Sequence, residues 1–156
     1  MQTVIGFFRN YPLIAALAAW FTAQVLKTFI DSIVKGKLNL ERMVGSGGMP
    51  SAHTATVSAL VIAVARSNGV RSPLFAMCFV LASVVMYDAT GVRYAVGEQA
   101  KAINRILRNA ENKQEESIVD DSEIVEDIEV KEMLGHTPLQ VLAGALLGII
   151  IAIILT

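Results

Sequence analysis

The 156-residue chain is 54% hydrophobic, only 17% charged, and carries a formal net charge of −1. One domain suits that length, but the apolar excess excludes an ordinary soluble globule and points to a membrane. The charge balance argues against a nucleic-acid partner, and the single cysteine, Cys78, rules out an intrachain disulfide or a thiolate metal site.

Met1–Asn10 ends in Phe7, Phe8 and Arg9 and lacks the charge order and cleavage site of a secretory signal, so it reads as an interfacial lead-in. Tyr11 to about Val34 is the first long apolar run. A helix of that length, at about 1.5 Å per residue, exceeds the ~30 Å hydrocarbon core. Gln24, Lys27 and Asp31 interrupt it at i, i+3 and i+7, on one face. A Lys or Asp at a helix centre costs about 2.5–3.5 kcal/mol on an insertion scale, so this face should turn towards a partner or a water-filled pocket. The alternative is that Lys27 and Asp31, at i and i+4, merely neutralise each other.

The stretch Gly45-Ser46-Gly47-Gly48-Met49-Pro50-Ser51-Ala52-His53-Thr54 is a glycine-rich turn running into a helix start. Unpaired N–H groups in a first helical turn, with the helix dipole behind them, attract anions, and glycines such as Gly48 let the backbone approach closely. His53 sits beside that point. Ala52 to about Asn68 forms the second span, with a small-residue stripe of Ala55, Ala59 and Ala63 suited to close packing. Gly69, Arg71 and Pro73 mark a turn, and Leu74 to about Gly91 is the third span, with Tyr87 and Asp88 near its end.

From Val96 to Ala110, apolar residues recur at Val96, Ala100, Ile103 and Leu107 with Lys101, Arg105 and Arg108 on other faces, as in an amphipathic helix on a membrane surface. Glu111–Glu132 reads as a mobile, solvated cytoplasmic insertion; nine of the fourteen acidic residues fall within Glu115–Glu132. Leu134-Gly135 would close a short helix. Pro138 to Leu155 is the last span, and Gly144 and Gly148 give it a GxxxG packing face. Such small-residue faces would also allow oligomerisation.

The expected architecture is therefore all-α: a single polytopic membrane bundle over residues 1–156, with about four transmembrane helices and one interfacial amphipathic helix. Threading four spans gathers Lys27, Asp31, Lys35, Arg42, Ser51, His53, Asp88, Arg93 and His136 at one membrane face. Nine basic residues lie on that side against Arg9, Arg66 and Arg71 on the other, which makes it cytoplasmic in a multi-pass cell-membrane protein.

The chain has only two histidines, His53 and His136, each preceding a threonine at the start of an apolar helix. Two histidines can divide phosphoester hydrolysis. One attacks phosphorus, the other protonates the leaving oxygen, and a polar group on the attacker's second nitrogen fixes its tautomer. Cationic side chains such as Lys27, Arg42 and Arg93 would hold the phosphoryl oxygens. Gln140, one turn after His136, is placed to orient it. The histidines have no diagnostic metal-ligand spacing with Asp31 or Asp88, so neither a metal nor another cofactor is expected.

Gly47-Gly48-Met49-Pro50-Ser51-Ala52-His53-Thr54-Ala55, Tyr87-Asp88-Ala89-Thr90-Gly91-Val92-Arg93 and Leu134-Gly135-His136-Thr137-Pro138 together resemble the divergent branch of the type 2 phosphatidic acid phosphatase and vanadium haloperoxidase superfamily. The resemblance implies a helical membrane protein related to metal-independent lipid phosphatases. It implies His53 as general acid, Ser51 at the phosphate and His136 as nucleophile. Ala52 replaces the motif's glycine, Gln140 stands where an orienting aspartate would, and Val130 where a phosphate-binding arginine would. Lys35 and Arg42 keep the first motif's Lys-x6-Arg spacing, with Met43 in place of its proline. Arg93 and Asp88 are candidates to replace the missing arginine and carboxylate. The expected activity is hydrolysis of a lipid phosphate or diphosphate, an amphiphile keeping its tail in the bilayer. The alternatives are a non-catalytic binder of phosphorylated lipid and a structural or transport-associated membrane subunit.

Overall fold

The computed structural model describes residues 6–36, 48–115 and 135–155. They form helices α1 (Tyr11–Lys35), α2 (Ala52–Asn68), α3 (Pro73–Thr90), α4 (Val92–Glu115) and α5 (Pro138–Ile154), with no strand among the described residues. Local chemistry fixes the helix starts. Asn10, Ser51, Ser72 and Thr137 cap α1, α2, α3 and α5 by accepting a first-turn backbone N–H, and α1, α3 and α5 carry a proline at the first or second position. Thr137 and Gln140 complete a reciprocal capping box. Gly36, at φ 64°, ends α1 in the left-handed conformation.

The bundle is built around α2, which packs on α1, α3 and α5; α1 also packs on α5. Its core is alanine: Ala15, Ala19, Ala23, Ala52, Ala55, Ala59, Ala63 and Ala152 form one buried cluster. The bulky apolar residues point outward, among them Trp20, Phe21, Phe29, Val84, Leu142 and Ile150. A soluble domain buries its large side chains and shows far less contiguous apolar surface. Small residues within and large ones without suit helices that pack closely in lipid. Tyr11–Val34 and Pro73–Asn109 are long and apolar enough to cross a membrane, and Pro138–Ile154 is a shorter apolar helix.

Gly144 and Gly148 let α5 cross α2 at backbone contact. A Cβ at Gly144 would stand 2.4 Å from the Ser51 carbonyl oxygen, and one at Gly148 would stand 2.2 Å from that of Ala55. The small-residue faces expected to permit oligomerisation are therefore occupied inside the chain, because Ala55, Ala59, Gly144 and Gly148 are all buried.

The amphipathic helix is longer than its apolar spacing indicated. Gly91 leaves helical dihedrals (φ −99°, ψ −89°), yet its N–H still donates to the Tyr87 carbonyl and its carbonyl accepts from Ala95. Helix α4 thus resumes at Val92 and runs through Glu115, into the first residues of the stretch expected to be a solvated insertion. Good helix formers at Glu111, Lys113, Gln114 and Glu115 carry it on. Among its residues up to Asn109, Gly97, Ala100 and Asn104 are buried, whereas Val96 and Ile103 are exposed. The rest of the acidic stretch and Leu134 lie outside the described residues, and Gly135–Thr137 is not helical.

Candidate functional site

The two histidines arrive from different directions. His53 is the second residue of α2 and exposed, whereas His136 lies just before α5 and is only 8% exposed. His136 is fixed by its backbone, whose N–H donates to the Ala89 carbonyl at the end of α3 (3.1 Å). Gly135 makes that seat possible: a Cβ there would stand 2.3 Å from the Tyr94 Cα. Sequence reasoning gave Gly135 only a helix-ending role, since a backbone approach between residues forty apart leaves no local signal.

The His136 tautomer follows from its neighbours. Gln140 Oε1 accepts the backbone N–H of Thr137 at 3.1 Å, and His136 Nδ1 lies 3.2 Å from the same atom. A backbone amide can only donate, so the shared Gln140 atom is its oxygen, and Nδ1 must carry the proton to bond it. Nε2 keeps its lone pair. Burial pushes the His136 pKa below the ordinary 6.5; the Gln140 hydrogen bond opposes that shift, and His53, Lys27 and Arg93 add to it through their positive charge. The ring is therefore neutral near pH 7.

His53 and His136 line one cleft of about 240 Å³, together with Val84, Val85, Asp88 and Ala89 of α3 and Arg93 of α4. This is smaller than the ~300–1,000 Å³ typical of pockets that enclose a whole organic ligand. Its size suits a headgroup. Arg93 Nε donates to Asp88 Oδ2 across Gly91, where α3 gives way to α4. Asp88 thus orients Arg93, while Gln140 takes the place at His136 that a carboxylate was expected to fill.

Lys27 of α1 is 5% exposed, and its side-chain methylenes pack against Gly48, where a Cβ would stand 3.1 Å away. Gly48 itself has φ +86°, a conformation glycine adopts without strain. Lys27 is near enough to His136 to act on it electrostatically. Ser51 is fully buried, and its hydroxyl oxygen accepts from the Thr54 N–H (3.4 Å) and hydroxyl (3.0 Å). Its N–H donates to the Gln140 carbonyl (3.1 Å). Ser51 therefore joins the two histidine-bearing helix starts and is not part of the cleft lining. Thr54, buried beside it, escaped notice in the sequence because its role needs this crossing. The Lys35 side chain and Arg42 lie outside what the structure describes.

The arrangement is a small cleft lined by one buried imidazole, one exposed imidazole and the Asp88–Arg93 ion pair, with Lys27 and Arg93 acting on the buried ring. The profile of the Divergent PAP2 family matches residues 8–151. The chain is 40% identical over 148 residues to the uncharacterized membrane protein YuiD of Bacillus subtilis (strain 168), covering 94% of each protein. No solved structure matches it. With almost its whole length matched and both histidine segments inside the matched region, the chain belongs to the Divergent PAP2 family of membrane proteins.

Proposed function

We propose that the protein is a multi-pass membrane phosphatase that hydrolyses a lipid phosphate or diphosphate through a phosphohistidine on His136. One observation carries this reading: Gln140 holds the His136 Nδ1 proton, which leaves Nε2 as the nucleophilic atom on a ring lining the same cleft as His53 and Arg93. Nε2 attacks phosphorus as the ester P–O bond breaks, and protonated His53 gives its proton to the departing oxygen. Water then attacks phosphorus, His53 takes a proton from it, and the P–N bond breaks to release phosphate and free His136. Lys27 and Arg93 stabilise the phosphoryl oxygens as their charge redistributes.

Four spans are contributed by α1, α2, α3 and α5, with the cleft at the cytoplasmic end, where the excess of basic residues falls. Purified protein should release phosphate from a lipid phosphate with no metal added, and His136→Ala should abolish release while heat unfolding stays near that of the unsubstituted protein. Full turnover by the variant overturns the nucleophile assignment. A neutral Gln140 favours a second reading, because an amide cannot stabilise an imidazolium as a carboxylate does. On that reading the cleft binds phosphorylated lipid without cleaving it. Vanadate, which mimics the transferring phosphoryl group, would then bind to a protein showing no turnover.

A further inference from the structure

Helix α4 has three distinct faces. At about 100° per residue, Val92, Val96, Ile103 and Ile106 fall within an arc of roughly 80° that is interrupted by the exposed Gln99. All four are exposed, from 40% at Val96 to 67% at Ile106. Gly97, Ala100 and Asn104 make an adjoining buried stripe. Lys101, Arg105 and Arg108 share the face opposite the exposed apolar arc, and with Arg93 they outnumber the one acidic residue between Val92 and Asn109, Glu98.

Position in the chain says what covers the apolar arc. Helix α3, with 18 residues, rises about 27 Å and by itself nearly spans the ~30 Å hydrocarbon core. Val92 therefore begins at the membrane face where α3 ends. Helix α4 has 24 residues, and a straight continuation would carry it about 36 Å into water with its apolar arc uncovered. Among the described helices it packs only on α3. A course along the membrane plane, turning at Gly91 where the dihedrals leave helical values, avoids this.

We propose that α4 is an in-plane anchor whose Val92, Val96, Ile103 and Ile106 face beds in the headgroup–acyl boundary of a leaflet rich in anionic lipid. The apolar face of such a helix sinks about 5–10 Å, and anionic headgroups strengthen its hold. The basic face lies only about one helix diameter, ~10 Å, above that plane, which is about one Debye length at ~0.1 M salt. Lys and Arg side chains can also reach back towards the headgroups while their stems cover apolar surface.

The proposal is independent of whether the cleft hydrolyses or only binds. Its test is label depth in the full-length protein. On a Cys78→Ser background, nitroxides are placed singly through Ile103→Cys, Ile106→Cys and Arg105→Cys, in vesicles of phosphatidylcholine with and without about one-third phosphatidylglycerol. Oxygen and a water-soluble nickel complex then compete as relaxants. The labels at 103 and 106 should sit below the headgroups and the label at 105 in water, and removing phosphatidylglycerol should raise the first two. Equal water access at all three positions overturns the anchor, as does uniform burial in hydrocarbon. Depths at 103 and 106 that ignore phosphatidylglycerol overturn the anionic preference.

Discussion

His136 shows how far one side chain's chemistry can be set by its neighbours. Gln140 fixes the tautomer, and burial lowers the pKa against the pull of that same hydrogen bond. On the hydrolytic reading, kcat/KM falls on the acid side as His136 Nε2 becomes protonated, so this limb lies below the ordinary imidazole value of about 6.5. Gln140→Glu places a carboxylate against Nδ1. An opposite charge at that distance favours the protonated ring and raises its pKa. The acid limb should therefore move to higher pH, and the His136 NMR titration should move with it; an unmoved titration would show that residue 140 does not control this ring. The two histidines and Gln140 were legible in sequence because spacing along a helix start is local. The contribution of Lys27 to His136 was legible only as an expectation that its helix face turns inward. The Asp88–Arg93 ion pair was not, since it depends on the non-helical dihedrals at Gly91.

Helices α2 and α5 meet through glycine. The Gly144–Ser51 and Gly148–Ala55 contacts bring backbone against backbone, and the Ser51 N–H to Gln140 carbonyl bond ties the two helix starts together. Positioning of His53 and His136 is therefore coupled to this crossing. Gly148→Ala must separate the helices, since its Cβ would stand 2.2 Å from a carbonyl oxygen that belongs to the backbone and has no rotamer to escape into. Overpacking of this kind costs about 1–3 kcal/mol. Heat unfolding should occur at a distinctly lower temperature, whereas Gly6→Ala, which meets nothing within 4 Å, should leave it near that of the unsubstituted protein. Equal unfolding temperatures for the two variants would deny the close crossing. Helix positions were readable from caps, prolines and apolar runs, and GxxxG announced a packing face. Its partner was not announced, because Ala55 and Ala59 offer the same small surface that a second copy of the chain would.

The molecule is ordered inside out relative to a soluble domain, with alanine and glycine between the helices and Phe, Leu, Ile and Val around them. Composition pointed to the membrane, and threading the spans gave the expectation that the polar residues share one end; neither revealed that α2, the helix with the small-residue stripe, would be central. The opposite end of the bundle is closed differently. There the Tyr11 hydroxyl, at the start of α1, donates to the Ala152 carbonyl near the end of α5 at 2.6 Å. Tyr11 lies at the far end of α1 from Lys27 and takes no part in the cleft, so stability and site can be separated by substituting it. Tyr11→Phe keeps the ring and removes the hydroxyl. A hydrogen bond within a membrane protein contributes about 0.6 kcal/mol on average, and up to about 1.7. The variant should unfold a few degrees lower in a heat scan while binding vanadate as the unsubstituted protein does. A loss of vanadate affinity matching the loss of stability would mean that the two ends of the bundle are coupled, and that the cleft is held in shape by the whole bundle and not only by the crossing of α2 and α5.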